Sequence, residues 1–302
     1  MKRTIFVFFI SLSVLASGQR IMAEAELEAE NVDEVRVEGS FVDVYVKKGD
    51  KVYFSGIIEG NGDKDDYRFD ADIIGSSLVI KLVSKAKYGW KNRRITKSRI
   101  DVTIPSGVSV DIDNSSGDVH VANLRASESS IKASSGDVTL RSIVANLELE
   151  TSSGDIDIDG LVGDSRIEST SGDQSLSDLQ GDIRTRASSG DITVSNFEGS
   201  IDLEATSGDI KIRGGEGTLE VRTTSGEIDG QGILLKGDAS FDATSGDIEM
   251  DFENDLSELS FDLRATSGDL EVGNRSADKR LLIDRGGYKI TAETSSGDQE
   301  YD

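Results

Sequence analysis

One triplet supplies most of the side chains in this chain that have a capacity for chemistry. Ser-Gly-Asp, with Glu in place of Asp once, places its Gly at 117, 136, 154, 172, 190, 208, 226, 246, 268 and 297. If equivalent strands stack about 4.8 Å apart, the carboxylates of Asp137, Asp155, Asp173, Asp191 and Asp209 repel one another, and calcium between them relieves that cost. These five are the metal candidates. The competing reading makes the triplet a corner. Gly takes φ > 0 cheaply, Ser satisfies a turn amide or carbonyl, and an outward Asp accepts from turn N–H groups. A catalytic or metal motif is used once or twice, whereas a part needed in every unit of a stack recurs at a fixed interval. The recurrence favours the corner.

Other chemistry has less to stand on. The absence of Cys removes disulfides, Cys-ligated zinc, iron–sulfur clusters and thiol nucleophiles. The only His, His120, lies between Val119 and Val121 at an outward strand position, so a Ser-His-Asp arrangement has little to build on. The run Asp155 to Gly160, DIDIDG, resembles the start of an EF-hand loop, but Ile156 and Ile158 are needed for a core and Arg166 stands where the twelfth-position Glu belongs. Ser or Thr always stands two residues before the triplet Gly, and such a hydroxyl ladder could order water, although it lies beside a corner. Carboxylate pairs suit polysaccharide cleavage only if they converge in a cleft, which short turns do little to form. No catalytic and no cofactor-binding residue is assigned.

The most distinctive surface candidate is KLVSKAKYGWKNRRITKSR, residues 81 to 99, which has no acid and eight Lys or Arg. Trp90, Lys91, Arg93 and Arg94 within it are the expected contact for anionic material such as lipid headgroups or polysaccharide phosphates. Residues 273 to 289, GNRSADKRLLIDRGGYK, form a second, partly basic insertion.

The elements that position these residues follow from spacing. Successive triplet glycines are 19, 18, 18, 18, 18, 18, 20, 22 and 29 residues apart, the mark of a repeat array. Counting from each Gly, apolar residues fall at two, four, seven, eleven and thirteen, with a small residue at fifteen. In the copy at Gly190 these are Ile192, Val194, Phe197, Ile201, Leu203 and Ala205. Two-residue alternation means two short strands per unit with one face buried, bent between them at Gly163, Gly181, Gly199 or Gly217. Too short for a crossover helix, such a unit closes as one coil of a parallel β-solenoid, or β-helix, over residues 111–302. Residues 32–110 read as longer β-strands, with turns at Lys48-Gly49-Asp50 and Gly75-Ser76-Ser77, that cap the array.

The composition sets the remaining bounds. A formal net charge of −24 argues against nucleic acid, which needs clustered Lys and Arg. The start, MKRTIFVFFISLSVLASGQRIMAEAE, reads as a signal peptide over residues 1–23, with cleavage after Gly18 or after Ala23. Its apolar run is too short for a span of roughly 20 residues, and Gln19 replaces a lipobox Cys. A periodic Gly- and Ser-rich chain with these features is expected in the periplasm or secreted. Its expected partner is an envelope polysaccharide, a lipid headgroup or another protein.

The N-terminal strands, the run VTIPSGVSVDIDNSSGDV and the recurring SGD-[IV]-x-[IVL] coils resemble the bacterial β-strand-repeat proteins known as putative adhesins, a domain of unknown function. The likeness covers roughly Val32 to Asp302. It implies a β-solenoid of the cell envelope acting as a non-enzymatic scaffold or binding module, and it brings no catalytic residues. The alternatives are a calcium-stabilised repeat protein and, third, an envelope polysaccharide-active enzyme.

Overall fold

The computed structural model describes residues 20–63, 66–84 and 94–302. Its regular structure is all strand apart from one turn of 3-10 helix at Leu256–Glu258. Two compact units divide it, Met1–Ala145 and Asn146–Asp302.

The first unit holds β1 (Arg20–Ala29), β2 (Glu34–Gly39), β3 (Asp43–Lys48), β4 (Val52–Gly60), β5 (Tyr67–Ile74), β6 (Ser77–Ser84), β7 (Ile95–Ile104), β8 (Ser109–Ser116), β9 (Val119–Ala122), β10 (Arg125–Ser135) and the start of β11 (Val138–Ser153). One parallel row runs β6, β2, β8, β10. A second runs β7, β3, β9, β11. Antiparallel strands flank both rows: β5 on β6, β4 on β7, and β1 on β4.

The repeat register therefore starts upstream of the first triplet. Val35 pairs with Val110, Val37 with Ile112, and Val44 with Val119. Val42 takes the phase of the triplet Gly and Asp43 that of the Asp, so the Asp118 N–H reaches Asp43 Oδ1 at 3.2 Å. The hairpin expected around Gly75 forms between β5 and β6. Lys48-Gly49-Asp50 does not make a hairpin of its neighbours, since β3 and β4 both pair with β7 instead.

The second unit continues with β12 (Ile156–Val162), β13 (Ser165–Ser171), β14 (Gln174–Ser189), β15 (Ile192–Ser207), β16 (Ile210–Ser225), β17 (Ile228–Ser245), β18 (Ile248–Phe252), β19 (Ser260–Ser267), β20 (Leu270–Val272), β21 (Arg275–Ala277), β22 (Arg280–Ile283), β23 (Lys289–Ser296) and β24 (Gln299–Tyr301). Neighbouring repeats pair in parallel at a shift of one repeat, as in Ile192 with Ile210 and Leu203 with Val221. Each inward residue thus sits on its equivalent, and all six core positions of the copy at Gly190 are at most 3% exposed. Burial of one such aliphatic side chain contributes about 1.5 to 3 kcal/mol, so the ladders dominate the stability of the repeats.

Stacking order departs from chain order at the tail. β23 pairs with both β17 and β19, and β24 with both β18 and β20. The tenth triplet therefore lies between the eighth and the ninth. The ninth is flanked on its other side by antiparallel β21 and β22. The first unit uses the same device, with β2 and β3 inserted between strands that follow them in the chain. In both places the outermost repeat in the chain gains a partner on each side.

Breaks in the apolar ladders are compensated. Gln174 is buried where its neighbours carry Ile; its Nε2 donates to Ser169 Oγ and the Arg186 carbonyl, both at 2.8 Å, and its Oε1 accepts from the Thr185 hydroxyl. Gln299 repeats the solution, donating to the Arg264 carbonyl at 2.8 Å and Thr294 Oγ1 at 3.0 Å. Satisfied this way, a buried amide avoids its desolvation cost. The gap at Gly230 is filled by Met250 from the next repeat.

Candidate functional site

The triplet is a corner, and its geometry assigns each residue a task. Gly208 has φ +148°, and a Cβ there would lie 2.1 Å from the Gly190 carbonyl oxygen. Gly136 over Gly117, Gly172 over Gly154 and Gly226 over Gly208 repeat the contact. Only Gly satisfies both the dihedral and the close approach.

Each Asp then ties one repeat to the next. The Asp137 N–H donates to Asp118 Oδ1 at 3.0 Å, Asp173 to Asp155 at 2.9 Å, Asp191 to Asp173 at 2.9 Å and Asp209 to Asp191 at 2.8 Å. The same bond runs from Glu227 to Asp209, from Asp298 to Asp247 and from Asp269 to Asp298. All five metal candidates stand in this ladder. One oxygen of Asp118, Asp155, Asp173 and Asp191 is committed to a backbone donor of the neighbouring corner, a charge-assisted bond. Among the described residues no group of three or more His, Asp or Glu side chains is placed to hold a metal ion.

Of the anionic-contact candidates, Trp90, Lys91 and Arg93 lie outside the described residues. Arg94 is exposed, and its backbone is fixed on Asn61 by bonds of 2.7 and 3.1 Å. His120 is half-buried and stacks on Tyr45, ring centroids 4.6 Å apart, while the Arg99 guanidinium lies 3.7 Å over the other partner's ring, that of Tyr45. Ile156 and Ile158 are buried, so DIDIDG is core-forming strand.

A feature not singled out from the sequence is a trough across four stacked repeats of the second unit. It encloses about 320 Å³ and is lined by Thr206, Thr224, Thr244 and Ser295 beside Glu204, Arg222, Asp242 and Glu293. The hydroxyls belong to the ladder two residues before each triplet Gly. Arg222 lies 3.5 Å from Asp242 and is also paired with Glu220. Burial pushes the Asp242 carboxyl up from its ordinary range, opposed by Arg222 and reinforced by Glu293. Acidic and basic residues at the outward position fourteen after each Gly, Glu204 and Arg222, were the available signal. Their meaning depends on which repeats are neighbours.

The geometry defines an all-β repeat protein whose units are joined by Gly–Asp corners and whose repeats are β-solenoid-like. The chain belongs to the Toastrack DUF4097 family, whose description matches residues 32–212 and 195–300. No curated protein matches it. Among solved structures, a "putative lipid binding protein" from Parabacteroides distasonis shares 17% identity over 95% of this chain and 97% of that one, with a TM-score of 0.45. A "putative adhesin" from Bacteroides fragilis shares 11% identity over 95% and 98% of the two chains, with a TM-score of 0.35.

Proposed function

We propose that the chain is a non-enzymatic binding module of the bacterial cell envelope, a parallel β-solenoid capped by its N-terminal strands, that holds an extended envelope polysaccharide in an adhesin-like role. The trough carries this reading. It crosses successive repeats, presents a row of hydroxyls that donate and accept, and sets carboxylates and a guanidinium beside them, the groups that bind a polyhydroxylated chain. The leader supports a periplasmic or secreted location.

Equilibrium binding of purified envelope polysaccharide fragments tests the reading. Binding that falls at least tenfold in T224A/T244A, with no new reducing ends released, supports it. Release of reducing ends supports the enzyme instead, and binding only to anionic vesicles moves the ligand to the basic segment around Arg94. The calcium-stabilised alternative is tested by melting with millimolar calcium or chelator. No shift is expected, since the Asp ladder is bridged by backbone donors.

A further inference from the structure

The described strands leave edges whose chemistry is complementary. β5 pairs with β6 alone, and β22 with β19 alone. Neither has a second hydrogen-bonded partner among the described strands, so each keeps a row of backbone N–H and C=O groups with which a further strand can pair, and β1 packs near that of β5. The most exposed large apolar side chains sit on these two strands: Ile74 in β5, 65% exposed, and Leu282 in β22, 60% exposed.

Their charges are opposite. On β5 the outward residues next to Ile74 include Asp70, which is paired with Arg68, and Asp72, and β1, which lies against β5, adds Glu24, Glu26 and Glu28, a net negative set. Around β22 stand Arg275, Lys279, Arg280 and Arg285 against Asp278 and Asp284, a net positive set. Arg280 leans on Asp262 at 3.4 Å, a partly exposed pair that a second carboxylate can join.

We propose that β22 of one copy adds to β5 of a second copy, so that the chain associates with itself through unlike edges. Parallel pairing in the register Arg280 with Asp72 places Leu282 beside Ile74 on the outer face. On the other face it sets Leu281 beside Ile73, the residues whose partners Leu263 and Leu78 are fully buried. β5 runs antiparallel to β6 and β22 antiparallel to β19, so each is the antiparallel edge of the parallel row in its own unit. Like does not pair with like. In parallel, in-register self-pairing, two copies of β22 bring Lys279 and Arg280 against each other and two copies of β5 oppose Asp70 and Asp72, which is destabilising for facing strands. Such a heterologous contact joins unlike edges, so every pair of copies keeps one β5 and one β22 edge to which a further copy can add. A scattered, charged edge that merely discourages aggregation predicts none of this pairing of unlike edges.

Sedimentation velocity of the full chain over a hundredfold concentration range is expected to show species above monomer that grow with concentration. D72R and R280D are each expected to return it to monomer, and D72R/R280D to restore assembly. The chain has no Cys, which permits a second readout that does not depend on charge. I74C and L282C mixed under oxidising conditions are expected to form a disulfide-linked dimer, and each alone to remain largely unlinked. A monomer at every concentration, assembly indifferent to both charge reversals, or self-linking of either Cys variant as efficient as cross-linking overturns the proposal. None of these readouts involves the trough, so its failure as a ligand site leaves the result unchanged.

Discussion

The Asp191 N–H donates to Asp173 Oδ1 across 2.9 Å, while the Asp173 N–H donates to Asp155 Oδ1 at the same distance. One residue therefore serves as donor to one neighbour and acceptor from the other, and the corner polymerises through it. Replacing Asp173 by Ala removes the acceptor and is expected to cost about 1 to 2 kcal/mol. D173N keeps an oxygen acceptor and removes one charge from the ladder, so its cost is expected to stay below about 0.5 kcal/mol. Chemical denaturation of the two variants checks the difference. Equal losses would mean that the charge, not the acceptor, matters.

The glycine half of the corner fails differently. A Cβ at Gly208 meets the Gly190 carbonyl at 2.1 Å in a backbone region that side chains avoid, so G208A is expected to lose roughly 3 kcal/mol or more. Gly75 also has positive φ, +69°, but nothing lies within 4 Å of its missing Cβ. G75A is expected to cost about 1 kcal/mol, the dihedral alone. Melting curves for the pair separate close approach from backbone strain.

A second joint lies six residues after each of the first seven triplet glycines. Asn123, Ser142, Asp178 and Asn196 all have φ between 54° and 57°, and Gly160, Gly214 and Gly232 fill the same phase. Asn, Asp and Gly tolerate this left-handed conformation; Ser is the poorest fit among them. S142G is expected to stabilise the protein by about 0.5 to 1 kcal/mol, a rise of about 2 °C in Tm. A fall in Tm would show that the Ser142 side chain makes a compensating bond.

These joints explain what the sequence disclosed. The triplet was legible because a missing Cβ admits no substitute, so Gly recurs unvaried. The joint at six residues was hidden because the backbone demands a dihedral, and four residue types supply it. The repeat containing Val42 was hidden because Val stands where Gly marks the others. The tail order was beyond reach: the triplet at Gly297 has the same residues wherever it stacks, and only the partners of β23 fix its place. The trough was unreadable for the same reason, since Glu293 meets Asp242 only through that insertion.

The structure also bears on where a leader would be cut. β1 starts at Arg20, and Met22 within it is 1% exposed and packs on Gly60 and Gly62. Cleavage after Ala23 would remove that buried side chain from the sheet, whereas cleavage after Gly18 keeps β1 whole. Intact-mass measurement of the protein recovered from cell fractions is expected to show Gln19 as the first residue. A product starting at Glu24 would mean that β1 forms without its first four residues.

Asp242 gives the protein a pH signature. Burial, with the charge of Glu293, raises its carboxyl pKa above the ordinary Asp range despite Arg222. A carboxyl with a raised folded pKa binds more protons folded than unfolded, so its contribution to stability is present at low pH and is lost as pH rises from the unfolded pKa through the folded one. D242N carries no ionisation in either state. It is expected to raise Tm at pH 7 and to leave it nearly unchanged below about pH 3, where the carboxyl is protonated in both states. Carbonyl NMR titration of Asp242 should place its midpoint above that of an exposed Asp, and E293Q should bring it down. A midpoint below the exposed value would mean that the Arg222 contact outweighs burial, and D242N would then destabilise the protein at neutral pH.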